Sequence, residues 1–258
     1  MTVVATQIGA VAQRSVRRTL RQPAAIVFPL VFPIMLLLVN AGGLKASTAL
    51  PGFPTDSFLA FALAVPFIQG ALFATMNAGT DLARDIQTGF LNRLALTPIR
   101  GSALLAGTLT GIVVMGVGQA VFYLTVGVAF GVDFAAGWAG VPVLLAFAAL
   151  VALGFGAFGS FLALRTGSGE AVQSFFPVFF VLLFISSMNT PRDLIAVDWF
   201  RFLASINPVS YLIECVRSLI VEGWDWTALA LGFGIGVVIC VVSITLAASS
   251  LGRRMERT

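Results

Sequence analysis

Histidine is missing from this 258-residue chain, and charged side chains make up only 10% of it. Without imidazole the chain has neither the commonest general base near neutral pH nor the commonest metal ligand. Its single lysine, Lys45, stands in Gly42-Gly-Leu-Lys-Ala46. It lacks the hydroxyl residue that a phosphate-binding loop places directly after its lysine, so the chain has no such loop for a nucleotide. The two cysteines, Cys215 and Cys240, lie in apolar surroundings; they read as small core residues rather than a disulfide framework. The long apolar runs contain no Asp, Glu, Lys or Arg. Ion-coupled transporters place such groups at membrane depth, and an intramembrane hydrolase or metalloenzyme needs a base or ligands there, so both classes are disfavoured. No catalytic or metal-binding residue is assigned.

What is present is apolar: 59% of residues are hydrophobic and the mean hydropathy is +1.00. Soluble domains carry roughly 25% charged residues, so this length is better counted in spans of about 20 residues. The pI of 9.8 comes from arginines scattered between apolar runs. With no basic face interleaved with aromatics, the partner of that charge is a membrane surface and not nucleic acid. The sequence predicts an all-α integral membrane protein with six transmembrane helices at about 24–43, 58–80, 103–130, 139–164, 171–189 and 227–250. Residues 7–21 precede them as a basic amphipathic helix with Arg14, Arg17, Arg18 and Arg21, stopped by Pro23. With the N-terminus inside, cytosolic segments hold eleven basic and four acidic residues, and outer segments four basic and seven acidic. The positive-inside bias thus places both termini in the cytosol. The Ala/Gly/Val/Arg-rich, Lys-poor composition suggests a GC-rich genome and a bacterial cell membrane.

The longest polar interruption in the first two-thirds of the chain runs from Asp81 to Gly101. Leu82, Ile86, Phe90 and Leu94 recur every four residues, which predicts a cytosolic amphipathic helix ended by Pro98. Near the other end, residues 190–226 hold two apolar pieces separated by Asn207-Pro208, each too short and too charged to cross a bilayer alone. They read either as two short re-entrant outer helices before the last span or as a helical hairpin flat on the outer surface. Glu214 and Arg217, three apart, are placed to pair on one helix face. Neutral polar residues within the spans, Asn40, Gln69, Asn77, Gln119 and Tyr123, either line a substrate path or hydrogen-bond between helices. With no energy source of its own, the chain is either passive or driven by a partner.

The stretch Asp85-Ile-Gln-Thr-Gly-Phe-Leu-Asn-Arg-Leu-Ala-Leu-Thr-Pro-Ile99 resembles the cytosolic loop between spans two and three of ABC-2-type permeases, in the daunorubicin/drug-resistance exporter branch. Asp85, Gly89, Phe90, Arg93 and Pro98 match that loop, and Asn92 stands where the branch commonly has Asp. Asn207-Pro-Val-Ser-Tyr-Leu-Ile-Glu-Cys-Val-Arg217 is similar to the family's Asn-Pro followed by Glu-x-x-Arg before the last span. The resemblance implies a non-enzymatic permease working with two ABC-type ATP-binding subunits, which bind ATP and Mg, and with a second permease, identical or a sister subunit, among membrane lipids. It implies that the loop, through Asp85, Gln87, Gly89, Phe90, Asn92, Arg93, Leu94 and Pro98, is a coupling helix docking on the ATPase. The expected activity is ATP-driven export of a hydrophobic or amphipathic drug, lipid or glycolipid; the alternative is an ATPase-independent channel or facilitator.

Overall fold

In hydrocarbon no water is available to backbone amides, so apolar runs of this length satisfy themselves as helices. The computed structural model describes residues 2–90, 93 and 101–255, and these contain helices and turns but no strand. The α-helices are α1 (Thr2–Leu20), α2 (Pro23–Gly43), α3 (Phe58–Ala62), α4 (Ala64–Gln87), α5 (Gly101–Ala129), α6 (Gly140–Thr166), α7 (Gly169–Gln173), α8 (Phe176–Phe184), α9 (Asp198–Ile206), α10 (Pro208–Arg217) and α11 (Trp226–Met255). Among the described residues five helices are long and apolar enough to cross a membrane: Ala25–Gly43, Phe58–Gln87, Ala103–Ala129, Gly140–Thr166 and Trp226–Arg254.

The second of these is the axis of the bundle. Its most apolar window is 94% buried, against 17–44% for the other four. It comprises α3 and α4, interrupted at Leu63 just before Pro66, whose ring supplies no N–H to the carbonyl of Ala62. On one side it lies against α6, on others against α5 and α2, while α11 covers the far side of α6. Glycines set the α4–α6 distance. A Cβ on Gly159 would overlap the Thr75 carbonyl, and one on Gly79 would stand 2.8 Å from the Gly159 carbonyl. At that crossing the Thr75 hydroxyl donates to the Phe155 carbonyl at 2.9 Å.

Three expectations change. The expected coupling helix does not begin at Asp81: residues 81–87 are the last turns of α4, continuous with the span. Helix α4 ends at Gln87 and is capped by Thr88; Gly89 follows with a φ of +67°, a left-handed conformation that glycine adopts without a Cβ penalty. The expected fifth span over 171–189 is two pieces, α7 and α8, ending at Phe184. Pro177 cannot donate to the Gln173 carbonyl, so the helix breaks there. Together the pieces give about 21 Å of helix at 1.5 Å per residue, short of the ~30 Å hydrocarbon core. Finally, α1 does not stand apart from the bundle. It packs alongside the start of α5, where a Cβ on Gly107 would press on Val11 and one on Gly111 on Ser15.

Replacing Gly159 by Val is expected to destabilise the protein by about 1–3 kcal/mol, the usual cost of overpacking. Gly118→Ala, where a Cβ meets nothing within 4 Å, should be neutral or stabilising. Thermal unfolding of the purified variants in one detergent compares the two.

Candidate functional site

At the C-terminal end of α4, two carboxylates one helical turn apart face two guanidiniums one turn apart on α1. Arg14 binds Asp85 through both terminal nitrogens at 3.0 Å. Arg18 reaches Asp85 at 2.9 Å through Nη1 and Asp81 at 3.2 Å through Nε. The Arg14 guanidinium also lies over the Phe90 ring, 3.9 Å from its centroid. Exposed ion pairs contribute only ~0.2–1 kcal/mol each, so this partly solvated clasp fixes the register of α1 more than it stabilises the fold. Asp85, expected to face a partner, is thus engaged within the chain, and one face of Phe90 is covered. Gln87 donates to the Gly167 carbonyl at 3.2 Å, tying α4 to the C-terminal cap of α6. Gly89 has open space around a hypothetical Cβ and adopts the left-handed turn, φ +67°, that follows α4. Arg93 is exposed and its amide donates to the Gly89 carbonyl at 3.1 Å. Asn92, Leu94 and Pro98 lie outside the described residues. The clasp was legible in principle: Asp81/Asp85 and Arg14/Arg18 share the i, i+4 spacing that puts each pair on one helix face.

The neutral polar residues of the spans separate into distinct tasks. Pro33 of α2 supplies no N–H to the Pro29 carbonyl, and the Tyr123 hydroxyl donates to that oxygen at 2.6 Å. Pro29 in turn releases the Ala25 carbonyl, which accepts from Asn77 Nδ2 at 3.4 Å. Both side chains repair a helix broken by proline, as neighbouring side chains do where water is absent. Gln119 lies between them, lining a cavity of about 40 Å³ with Asn77 and a smaller one of about 10 Å³ with Tyr123. Asn40 is half-buried near the end of α2. Gln69 is 1% exposed, and both of its amide atoms lack a hydrogen-bond partner. These two cavities are far below the roughly 300 Å³ of a small-molecule pocket.

The opposite end of the bundle is held by side chains of 190–226. Asn207 Oδ1 accepts from the Val209 amide at 2.9 Å, capping α10, while its Nδ2 donates to the carbonyls of Leu182 and Ile185 at the end of α8. Pro208 occupies the first turn of α10, where no N–H is required. Helix α10 is not flat on a surface: Leu212, Ile213, Cys215 and Val216 are fully buried against α4 and α11. The expected Glu214–Arg217 pair does not form. Glu214 takes Arg192 at 2.7 Å, and Arg192 in turn stacks over Tyr211. Arg217, 3% exposed, donates through Nε to the Phe61 carbonyl at 3.2 Å and through Nη2 to the carbonyls of Ser187 and Met188 at 2.9 and 3.1 Å. Its guanidinium lies 3.6 Å from the Phe61 ring centroid. Carbonyls from two segments outcompete a solvated carboxylate because the Arg217 side chain points inward. After Arg217 the helix widens into a π turn over Ser218–Glu222, whose Leu219 and Ile220 carbonyls accept from the amides of Ala136 and Ala135. Burial pushes the Glu222 carboxyl above its usual range, with the charge of Arg217 opposing.

The structure thus combines a buried helical rod, clasped to α1 at one end, with short helices braced by Asn-Pro and arginine at the other. The sequence model of the ABC-2 type transporter family matches residues 6–221. The chain belongs to that family. It is 26% identical over 197 residues to the daunorubicin resistance ABC transporter permease protein DrrB1 of Streptomyces coeruleorubidus, covering 75% of this chain and 66% of that protein. A putative transport permease, ycf38, of Cyanophora paradoxa is 26% identical over 202 residues, covering 77% and 69% of the two chains. The ycf38 of Pyropia yezoensis is 25% identical over 251 residues, covering 96% and 81%. The chain thus spans just under two thirds of the DrrB1 relative, and within the ABC-2 family it resembles the drug-exporter branch.

In this ABC-2 chain Tyr123→Phe is expected to cost about 0.6–2 kcal/mol, the range for interhelical hydrogen bonds in membranes. The loss should vanish in the Pro33→Ala background, where the alanine amide donates to the Pro29 carbonyl instead. A double-mutant cycle of unfolding midpoints reads the coupling; additive losses would refute the repair role.

Proposed function

We propose that this chain is the permease subunit of an ATP-driven ABC exporter that moves a hydrophobic or amphipathic substrate outward across the cell membrane. Two ATP-binding subunits, carrying ATP and Mg, drive it, and a second permease, identical or a sister, completes the path. The observation that carries this reading is the end of α4. The most buried helix of the bundle runs without interruption from Ala64 into Asp81 and Asp85 and delivers Phe90 and Arg93 at its tip. A push on that tip is delivered to the axis of the fold. Absence of ionisable groups from the apolar runs leaves a partner as the energy source. A drug as cargo follows the name of the DrrB1 relative, and lipids or glycolipids are the other amphipathic cargoes of this reading.

In this reading the substrate passes between the two permeases; the cavities beside Gln119, of about 40 and 10 Å³, are too small to hold it. The arginine bias supports six crossings with both termini in the cytosol. The shortness of α7–α8 is compatible with a sixth crossing because residues 185–189 can complete it unwound. Carbonyls of Leu182, Ile185, Ser187 and Met188 accept from Asn207 and Arg217, and non-helical backbone is tolerated at membrane depth where protein satisfies it. In this topology α9 and α10 are outer, re-entrant helices.

Replacing Phe90 and Arg93 together by Ala should lower export at least tenfold while leaving membrane insertion intact, because the contact that receives the push is removed while the Arg14–Asp85 and Arg18–Asp81 pairs that hold α1 remain. Unchanged export would refute the coupling role. Substrate flux in liposomes that contain the permease alone would favour the channel reading instead.

A further inference from the structure

Arg217 is the only charged side chain in the buried class among the described residues, and its bonding pattern is not that of an ion pair. Its acceptors belong to two separate pieces of chain. Phe61 lies in α3, at the end of the axial rod beyond the interruption at Leu63. Ser187 and Met188 lie in the unwound segment that follows α8. The guanidinium also covers the Phe61 ring, so it grips backbone and side chain of one residue together. Its own neighbour Glu214 is spent on Arg192. A buried ion is often replaceable by an apolar residue without loss of stability, so packing alone does not call for a guanidinium here. A planar fork carries donors on separate nitrogens, and here Nε and Nη2 take carbonyls of two different segments, whereas an ammonium offers all of its donors from one point.

The other end of the same rod carries the clasp. Asp85 and Phe61 are about 36 Å apart along a helix at 1.5 Å per residue, and the intervening length is held on all sides by α2, α5 and α6. We propose that Arg217 is a positioning residue, the joint through which displacement of the α3–α4 rod moves the 185–189 segment and α10. This rests on the exporter reading, which supplies the displacement. Force enters at Asp85–Phe90, travels along α4, and leaves through the Phe61–Arg217 contact to the short helices. A lysine retains the charge but neither the separated nitrogens nor the planar face that lies over Phe61.

The test uses the permease with its ATP-binding subunits in lipid nanodiscs. Hydrogen exchange is followed by mass spectrometry over residues 81–93 and 185–222, with and without ATP plus vanadate. In the natural protein ATP should change exchange severalfold in both windows. In Arg217→Lys and Arg217→Gln the response over 81–93 should persist, while that over 185–222 falls to less than a third. Phe61→Ala removes the stacked ring but keeps every carbonyl, and should at least halve the distal response; it serves if the arginine variants do not accumulate. A purely structural Arg217 would raise exchange over 185–222 equally in both nucleotide states and leave the ATP-dependent difference intact, which overturns the proposal. A full-sized distal response in Arg217→Lys or in Phe61→Ala, or no distal response in the natural protein while 81–93 responds, overturns it too. If ATP leaves 81–93 unchanged in the natural protein, the exporter reading itself fails.

Discussion

Every backbone carbonyl in this apolar bundle must find a donor, and most of the polar residues are placed by that constraint. Prolines and helix ends release carbonyls; a few long polar side chains collect them. Tyr123 and Asn77 serve the carbonyls freed by Pro33 and Pro29, and Asn207 serves those at the end of α8. Arg217 serves Phe61, Ser187 and Met188, and Arg254 reaches the Leu164 carbonyl at the end of α6 at 2.8 Å. An unpaired carbonyl in such surroundings costs several kcal/mol, so these side chains decide where helices can bend or stop.

The same constraint makes the helix interruptions useful. A continuous helix has no free backbone groups to offer a neighbour, whereas an interrupted one presents them at defined points. The rod formed by α3 and α4 is interrupted at Leu63, close to the Phe61 carbonyl that Arg217 takes. Helix α8 stops early, and its last carbonyls anchor Asn207. The short helices α9 and α10 are therefore fastened to the bundle by main-chain bonds. Close glycine crossings along α4 and α6 leave little room for the rod to bend between its ends.

Much of the fold was legible along the chain. The apolar runs located the five long helices, with the end of the second misplaced by seven residues, and Asn207-Pro208 marked the boundary between α9 and α10. Local signals were misread where helix continuity competed with polarity. Asp81 and Asp85 look like a loop in a hydropathy profile, but nothing before Gly89 breaks the helix, and α4 carries on through them. Glu214 and Arg217 have pairing spacing, yet spacing is silent about which face is buried. The five polar span residues could not be sorted by type: Asn77 and Tyr123 differ from Asn40, Gln69 and Gln119 only in having a carbonyl released by proline on the facing helix.

By itself the sequence determined that this protein is a bundle of apolar helices with no ionisable group in its apolar runs and a basic bias on one side. Those properties are sums over residues, and composition and period are enough to set them. Only the tertiary structure decided that Asp81 and Asp85 hold α1, that Tyr123 answers Pro33 ninety residues away in the chain, and that Arg217 joins α3 to the segment after α8. Each is a pairing between a released backbone group or a charge and a donor distant in sequence, and such a pairing exists only once helices are placed side by side.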